Sequence, residues 1–100
     1  MGADTAKTRA EMTQIIFIKA AEKQFDALPK TAQEQINQKL KFVRVEPLRY
    51  LERLKGQPFY KIKIGQYRLI CDVAHEKIII YVLRIATREV VYKFLKEHKF

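Results

Sequence analysis

Hydrophobic and polar positions follow two different periods along this chain, and the first part has the period of a helix. Gln14–Ile18 (QIIFI) is a short β-branched and aromatic run, which predicts a strand. Ala21, Phe25 and Leu28 then recur at helical spacing, and Pro29 ends the segment. The pattern therefore predicts a strand followed by a first helix.

A second helical stripe follows, with apolar residues on one face from Ile36 to Val43. Just before it, Thr31 and Glu34 have the spacing of a capping box, in which the two side chains satisfy backbone amides at a helix start. We therefore predict a second helix that begins near this box, and a short connector that runs from its end to Gly56.

The period then changes to two, which is typical of strands with one buried face. Tyr60–Ile64 and Tyr67–Val73 both alternate, and the two-residue loop Gly65-Gln66 between them favours a type II′ hairpin. That hairpin sets Lys63 directly opposite Arg68. The same register pairs Ile64 with Tyr67, Ile62 with Leu69 and Tyr60 with Cys71.

The last part of the chain predicts one more strand and one more helix. After a turn at Ala74–Lys77, the nearly unbroken apolar run IIIYVLRI is typical of a central strand covered on both faces. Helical spacing of apolar residues resumes from Arg88. The predicted fold class is α+β: a small antiparallel sheet, with elements in the order strand, helix, helix, three strands, C-terminal helix, and the helices packed on one face.

Length and composition indicate a single small domain. The 100 residues are 48% hydrophobic and include 11% aromatics, enough for one core. Residues 1–12 lack an apolar period and are interpreted as a disordered leader or a remnant of cloning, with the domain at 13–100. Cys71 is the only cysteine, and we find neither a signal peptide nor a membrane span in the sequence, so we expect a soluble, cytoplasmic protein.

The charge of the chain is strongly positive, with a net value of +9. This excess points to polyanionic partners and is not informative about the fold. Lys61, Lys63 and Arg68 share one face of the predicted hairpin, although like charges across a strand pair destabilise it. Arg88 and Tyr92, four residues apart, lie on one face of the last helix. The five side chains could be a solvated surface, or they could converge on one concave site.

The stretches LKGQPFYKIKIGQYRLICDV (54–73) and IIIYVLRIATREVVYK (78–93) resemble the RelE branch of the RelE/ParE toxin superfamily. The resemblance extends along residues 13–98 and implies the RelE-like microbial RNase fold and a ribosome-dependent endoribonuclease. The chain departs from the family at Ala86-Thr87-Arg88, where Gly-His-Arg or Gly-Lys-Arg is common. Carried over position by position, the family's active-site residues fall on Lys61, Lys63, Arg68, Arg88 and Tyr92.

These residues allow RNA cleavage without a metal or another cofactor. A 2′-hydroxyl attacks the adjacent phosphorus, and preplaced cations stabilise the negative charge that grows on the phosphate oxygens. Arg68 suits that role because its guanidinium can hold a phosphate at two points, and one of Lys61 and Lys63 could act as the base. Arg88 would face the leaving oxygen, and Tyr92 would orient or polarise the nucleophile.

The resemblance also implies partners: mRNA and ribosomal RNA at the ribosomal A site, and an acidic antitoxin that inhibits the toxin. A site with no matched acid and base predicts a poor nuclease alone, and the ribosome would supply the geometry for attack. Two other functions remain open. One is a ParE-like inhibitor of DNA gyrase that acts by binding, and the other is a non-catalytic RNA- or ribosome-binding module.

Overall fold

The computed structural model describes residues 13–74 and 79–97. The predicted leader at 1–12 and most of the predicted turn at Ala74–Lys77 lie outside the described residues. The described elements comprise four helices and five strands. The helices are α1 (Lys19–Asp26), α2 (Lys30–Val45), the single turn α3 (Pro47–Tyr50) and α4 (Arg88–Glu97). The strands are β1 (Gln14–Phe17), β2 (Glu52–Arg53), β3 (Tyr60–Ile64), β4 (Tyr67–Ala74) and β5 (Ile79–Thr87).

The first two helices form where the apolar stripes predicted them, but the prediction of a capping box at Thr31 and Glu34 is wrong. Helix α2 begins at Lys30 with Pro29 as its N-cap, and no side chain caps its first turn. Thr31 therefore lies inside the helix, because Pro29 already has the fixed φ that suits a helix start. Instead, the Gln33 side-chain amide donates to the carbonyl oxygen of Phe25 (2.9 Å) and joins the two helices.

The α+β class is confirmed, and the sheet has the strand order β1-β5-β4-β3-β2. The prediction of an entirely antiparallel sheet is wrong in one pairing, since β1 lies parallel to β5. The chain returns to β1 only after α1, α2 and the β3–β4 hairpin, and strands connected at such a distance can run in either direction. Residue periodicity carries no information on that choice.

The predicted β3–β4 register is confirmed at each of the three apolar pairs. Ile64 pairs with Tyr67, and Lys63 lies opposite Arg68. On the other side of β4, Arg68 pairs with Ala86 of β5, and an irregularity between Ile70 and Cys71 shifts the later pairs. The two-residue loop is present, and Gly65 has a φ of 58°, a conformation that glycine adopts at little cost.

The two faces of the sheet have different roles. The larger core joins the α1 and α2 stripes to the face that carries Ile62 and Leu69. The opposite face carries a small cluster in which Ile70 packs with Leu54 and Val91. Because Val91 belongs to α4, the prediction that all helices pack on one face is wrong: α4 packs against the second face. Alternation along β4 explains this, since Ile70 points away from the side of Leu69.

The connector before β3 has more structure than the sequence predicted. It contains the turn α3 and the two-residue edge strand β2, which pairs with β3 so that Glu52 lies opposite Lys61. This places a carboxylate on the same face as the hairpin lysines. In the described part of the chain, no helix has the length and apolar character needed to cross a membrane.

Candidate active site

The second face of the sheet presents the cations of the β3–β4 hairpin. Lys61 and Lys63 alternate with buried Ile62 and Ile64 along β3, so both lysines point to the side opposite the larger core. Arg68 lies across from Lys63 and shares this face. The sequence prediction that these three residues lie on one surface is therefore confirmed as geometry.

Arg68 is held rigidly, which the sequence did not reveal. Arg68 is only 8% exposed, and its Nη1 donates to the carbonyl oxygens of Gly65 (2.8 Å) and Tyr67 (2.9 Å). These bonds satisfy part of a buried charge and fix the plane of the guanidinium. The same bonds tie the β3–β4 turn to the strand that follows, so Arg68 contributes to the fold as well as to the charge of the face.

The start of α4 carries the other two predicted residues to the same turn. The Arg88 backbone N–H donates to the Gln66 carbonyl oxygen (2.9 Å), which anchors the helix start to the hairpin. The Thr87 hydroxyl accepts a long hydrogen bond from the Val90 N–H (3.4 Å) and caps the first turn. Arg88 and Tyr92 share one face of α4, as their four-residue spacing predicted, and this face lies next to Arg68.

The Tyr92 ring lies close to the positive charges of Arg88 and Lys61. The Arg88 guanidinium carbon lies 5.4 Å from the centre of the Tyr92 ring, and Lys61 Nζ lies 5.9 Å from it. Hydrogen bonding to Arg88 lowers the pKa of the Tyr92 phenol below its usual value of 10.0, and the charges of Arg88, Lys61 and Arg68 lower it further. The Tyr92 residue is 47% exposed, which leaves the phenol open to a ligand.

Lys63 differs from the other four residues. Its ammonium lies 3.3 Å from Glu52 Oε2 on the edge strand, in an ion pair that is about half exposed on each side. Lys61 lies on the same strand and points towards Tyr92. The structure therefore brings together Lys61, Arg68, Arg88 and Tyr92, and directs Lys63 towards a carboxylate at the edge of the sheet.

An open cleft of about 640 Å³ lies between the hairpin turn and the start of α4. Four of its residues were not predicted as site residues, and their only signal was their position in the hairpin turn or beside Arg88. One of the four, Glu89, brings a carboxylate to a cleft otherwise lined by cations and polar groups. The cleft is lined by Gly65, Gln66, Arg68, Thr87, Arg88, Glu89 and Tyr92.

The described residues offer no group of three or more His, Cys, Asp or Glu side chains that could hold a metal ion. Cys71 is buried in the larger core, and burial raises the pKa of its thiol well above the usual range. A thiol in that state is a core residue and a poor nucleophile. The chemistry that this cleft can support is therefore the binding of an anion by guanidinium and ammonium groups beside an acidified phenol.

Comparisons with known proteins converge on one family. The family model described as the ParE toxin of the type II toxin-antitoxin system, parDE, matches residues 15–92. The mRNA interferase toxin RelE of Escherichia coli (strain K12) is 36% identical over 76 residues, which are 73% of this chain and 80% of the relative.

Solved structures agree with this finding. A chain of the intact E. coli RelBE toxin-antitoxin complex matches with a TM-score of 0.64 and 31% identity, covering 75% of this chain and 95% of that one. A mutant of the E. coli toxin RelE in the free state matches with a TM-score of 0.67 and 30% identity over 89% and 99% of the two chains. The RelBE2 complex of Mycobacterium tuberculosis, at 21% identity and a TM-score of 0.67 over 77% and 92%, shows the same fold. The family match and the identity to a RelE toxin together show that this chain belongs to the ParE toxin family of type II toxin-antitoxin systems, in the RelE branch of the RelE/ParE superfamily.

Proposed function

We propose that this protein is an endoribonuclease toxin that inhibits translation by cutting mRNA in the ribosomal A site. The observation that carries the proposal is the convergence of Arg68, Arg88 and Tyr92 on one open cleft, with Lys61 beside the phenol. The relatives at 36% identity are named mRNA interferases, which supports the same activity here.

The proposed reaction is an attack of the RNA 2′-hydroxyl on the adjacent phosphorus. The 2′-oxygen to phosphorus bond forms, the bond to the 5′-oxygen breaks, and the products carry a 2′,3′-cyclic phosphate and a 5′-hydroxyl. Negative charge on the phosphate oxygens is greatest in the transition state, where fixed cations are most effective. Arg68 suits this task best because the Gly65 and Tyr67 carbonyls already fix its orientation.

Proton transfer is assigned to the groups around the phenol. Tyr92 has a lowered pKa and an accessible hydroxyl, which suits it to orient or polarise the nucleophile. Lys61, with Tyr92 beside it, is the candidate for the base that takes the proton of the 2′-hydroxyl. Arg88 neutralises the leaving 5′-oxygen, which then takes a proton from solvent. Lys63 contributes positive charge, which Glu52 partly offsets in the free protein.

The open geometry of the cleft supports a role for the ribosome. A flexible RNA strand seldom has its 2′-hydroxyl in line with the leaving oxygen, and a decoding site that holds the mRNA in that geometry could lower the barrier by several kcal/mol. The protein would then supply charge and proton transfer, and the ribosome would supply the position of the substrate.

The partner that restrains this activity is proposed to be an acidic antitoxin. Structures of RelB–RelE and RelBE complexes are among the proteins that this chain resembles. A net charge of +9 favours association with an acidic chain, and a partner that covers the second face of the sheet would exclude RNA from the cleft.

The test is translation of a defined mRNA on purified ribosomes, with 5′-hydroxyl ends mapped to the codon. We expect cuts in the A-site codon, and a loss of roughly 100- to 1,000-fold in cleavage rate for Arg88→Ala. Lys96→Ala removes the same charge from an exposed position in the last turn of α4 and serves as the matched control.

The alternatives give different results in the same assay. Intact mRNA together with gyrase-dependent DNA breaks would indicate the ParE-like activity. Intact mRNA with strong, salt-sensitive ribosome binding would indicate a non-catalytic module. Equal cleavage by Arg88→Ala and the wild type would reject the assignment of the site.

A further inference from the structure

A second cleft of about 430 Å³ adjoins the first on the other side of the β3–β4 turn. We call it the α2 cleft, because its side chains come mainly from that helix: Gln35, Gln38, Lys39 and Phe42, with Tyr50 of α3 and Ile64 of β3 completing the lining. Gly65 of the turn lines both clefts. The two clefts are therefore neighbours that share one wall.

The shared wall is thin because Gly65 has no side chain. A Cβ added at this position would lie 2.5 Å from Gln35 Nε2, so α2 packs directly against the turn. We call the first cleft the active cleft. A linear ligand that extends from the active cleft across Gly65 reaches the α2 cleft next. The α2 cleft is thus placed to bind the part of a linear ligand that adjoins its reacting part.

The side chains of the α2 cleft have the chemistry of a nucleotide subsite. Phe42 is 55% exposed, which leaves an aromatic face available for a base to stack on. Lys39 Nζ lies 5.0 Å from the centre of the Tyr50 ring, a cation–π contact that restrains an ammonium beside the cleft, where it can meet a phosphate. The amides of Gln35 and Gln38 supply both donors and acceptors for a base edge.

We propose that the α2 cleft binds a nucleotide of single-stranded RNA next to the nucleotides held in the active cleft, an inference that rests on the proposed function. Base stacking on Phe42 and a phosphate contact to Lys39 provide the affinity. The more exposed apolar residues Val45 (65% exposed) and Leu48 (83% exposed) are not among those that line the cleft. The apolar lining of the cleft is limited to the Phe42 and Tyr50 rings and the buried Ile64, beside a lysine and two amides. This mixture suits a stacked base with a nearby phosphate better than the long apolar stripe of an amphipathic peptide helix.

The test measures binding of short unstructured RNA oligonucleotides of increasing length to the whole protein at low salt. Each oligonucleotide carries 2′-O-methyl groups, so that the 2′-oxygen cannot act as a nucleophile and no cleavage occurs. We expect Phe42→Ala to weaken binding roughly fivefold to 100-fold for oligonucleotides long enough to span both clefts, and to leave the shortest ones unaffected. Lys39→Gln should reduce the slope of log affinity against log salt by about 0.7.

Matched controls are available on the same surface. Leu48→Ala removes a more exposed apolar side chain from outside the cleft, and Lys30→Gln removes a charge from the far end of α2. Because Phe42 is exposed, its truncation should leave the core intact, and a thermal melt checks this. Equal affinity of Phe42→Ala and Leu48→Ala for long oligonucleotides, or an absence of RNA binding at low salt, would overturn the proposal.

The outcomes separate this inference from the proposed function. Loss of long-oligonucleotide affinity in Phe42→Ala without ribosomal cleavage by the wild type would reject the nuclease function and keep the subsite. Normal RNA binding by Phe42→Ala, with cleavage that depends on Arg88, would reject the subsite and keep the nuclease function. If Phe42→Ala binds RNA normally but binds an acidic antitoxin peptide more weakly, the α2 cleft is a protein surface and the RNA subsite is rejected.

Discussion

Glu52→Gln should make the protein slightly less stable and yet a better ligand for RNA. In the free protein the Glu52 carboxylate lies 3.3 Å from Lys63 Nζ, on the face that carries Lys61 and Arg68. An RNA phosphate that approaches Lys63 must compete with this carboxylate and is repelled by it. The glutamine variant keeps the size of the side chain and removes its charge.

The structure sets the expected magnitude. A phosphate bound to Lys63 would lie about 6 Å from the carboxylate, where two unit charges repel by about 0.7 kcal/mol in water and by about 2.8 kcal/mol at an effective dielectric constant of about 20. Because the side chains are 52% and 46% exposed, the lower end of this range applies. We therefore expect a gain of about threefold to tenfold in RNA affinity, and a loss of at most about 1 kcal/mol in the free energy of unfolding.

The assay is equilibrium binding of a 2′-O-methyl RNA oligonucleotide across a salt series, together with urea unfolding of each variant. The slope of log affinity against log salt should steepen by about 0.7, because one more ammonium becomes available to the phosphates. Glu22→Gln makes the same change in net charge at an exposed position of α1 and is the control. If Glu52→Gln and Glu22→Gln bind RNA equally well, Glu52 does not compete with phosphate and the reasoning fails.

Three further predictions concern the hairpin turn and the phenol. Arg68→Lys should lower the free energy of unfolding by about 2 kcal/mol in urea titrations, since a lysine cannot reproduce both carbonyl bonds of the guanidinium. Gly65→Ala should cost about 1–2 kcal/mol, because its φ of 58° is unfavourable for alanine, and thermal melts that match the wild type would contradict this. Arg88→Ala should raise the pKa of Tyr92 towards 10.0 in an ultraviolet titration of tyrosinate, with Tyr92→Phe identifying the signal. Since the folded-state pKa of Tyr92 is lowered, its ionised form favours the folded state at alkaline pH, and this contribution is lost as the pH falls through that pKa.

The sequence was most informative where the chain interacts with itself over short distances. A two-residue loop at Gly65-Gln66 fixes which residues of β3 and β4 face each other, so the opposition of Lys63 and Arg68 could be predicted and is confirmed. The four-residue spacing of Arg88 and Tyr92 is likewise a property of one helix turn. The resemblance to the RelE branch is confirmed by the comparisons.

The errors arise where distant segments meet. The direction of β1 depends on the path of the chain through two helices, and the side on which α4 packs depends on how Val91 meets Ile70. Neither depends on a local period. The bonds from Arg68 to two carbonyls and the pairing of Glu52 with Lys63 depend on side-chain reach in the folded state, which periodicity does not describe.

The hydrogen bonds of Arg68 have a genetic consequence. A selection for survivors of toxin expression should recover changes at Arg88 and Tyr92 that abolish toxicity while the folded protein still accumulates and titrates its antitoxin, because both side chains are exposed. Changes at Arg68 should instead reduce the amount of protein, since the same guanidinium holds the turn together. Non-toxic alleles that still affect regulation are therefore expected at the start of α4 and not at the hairpin arginine.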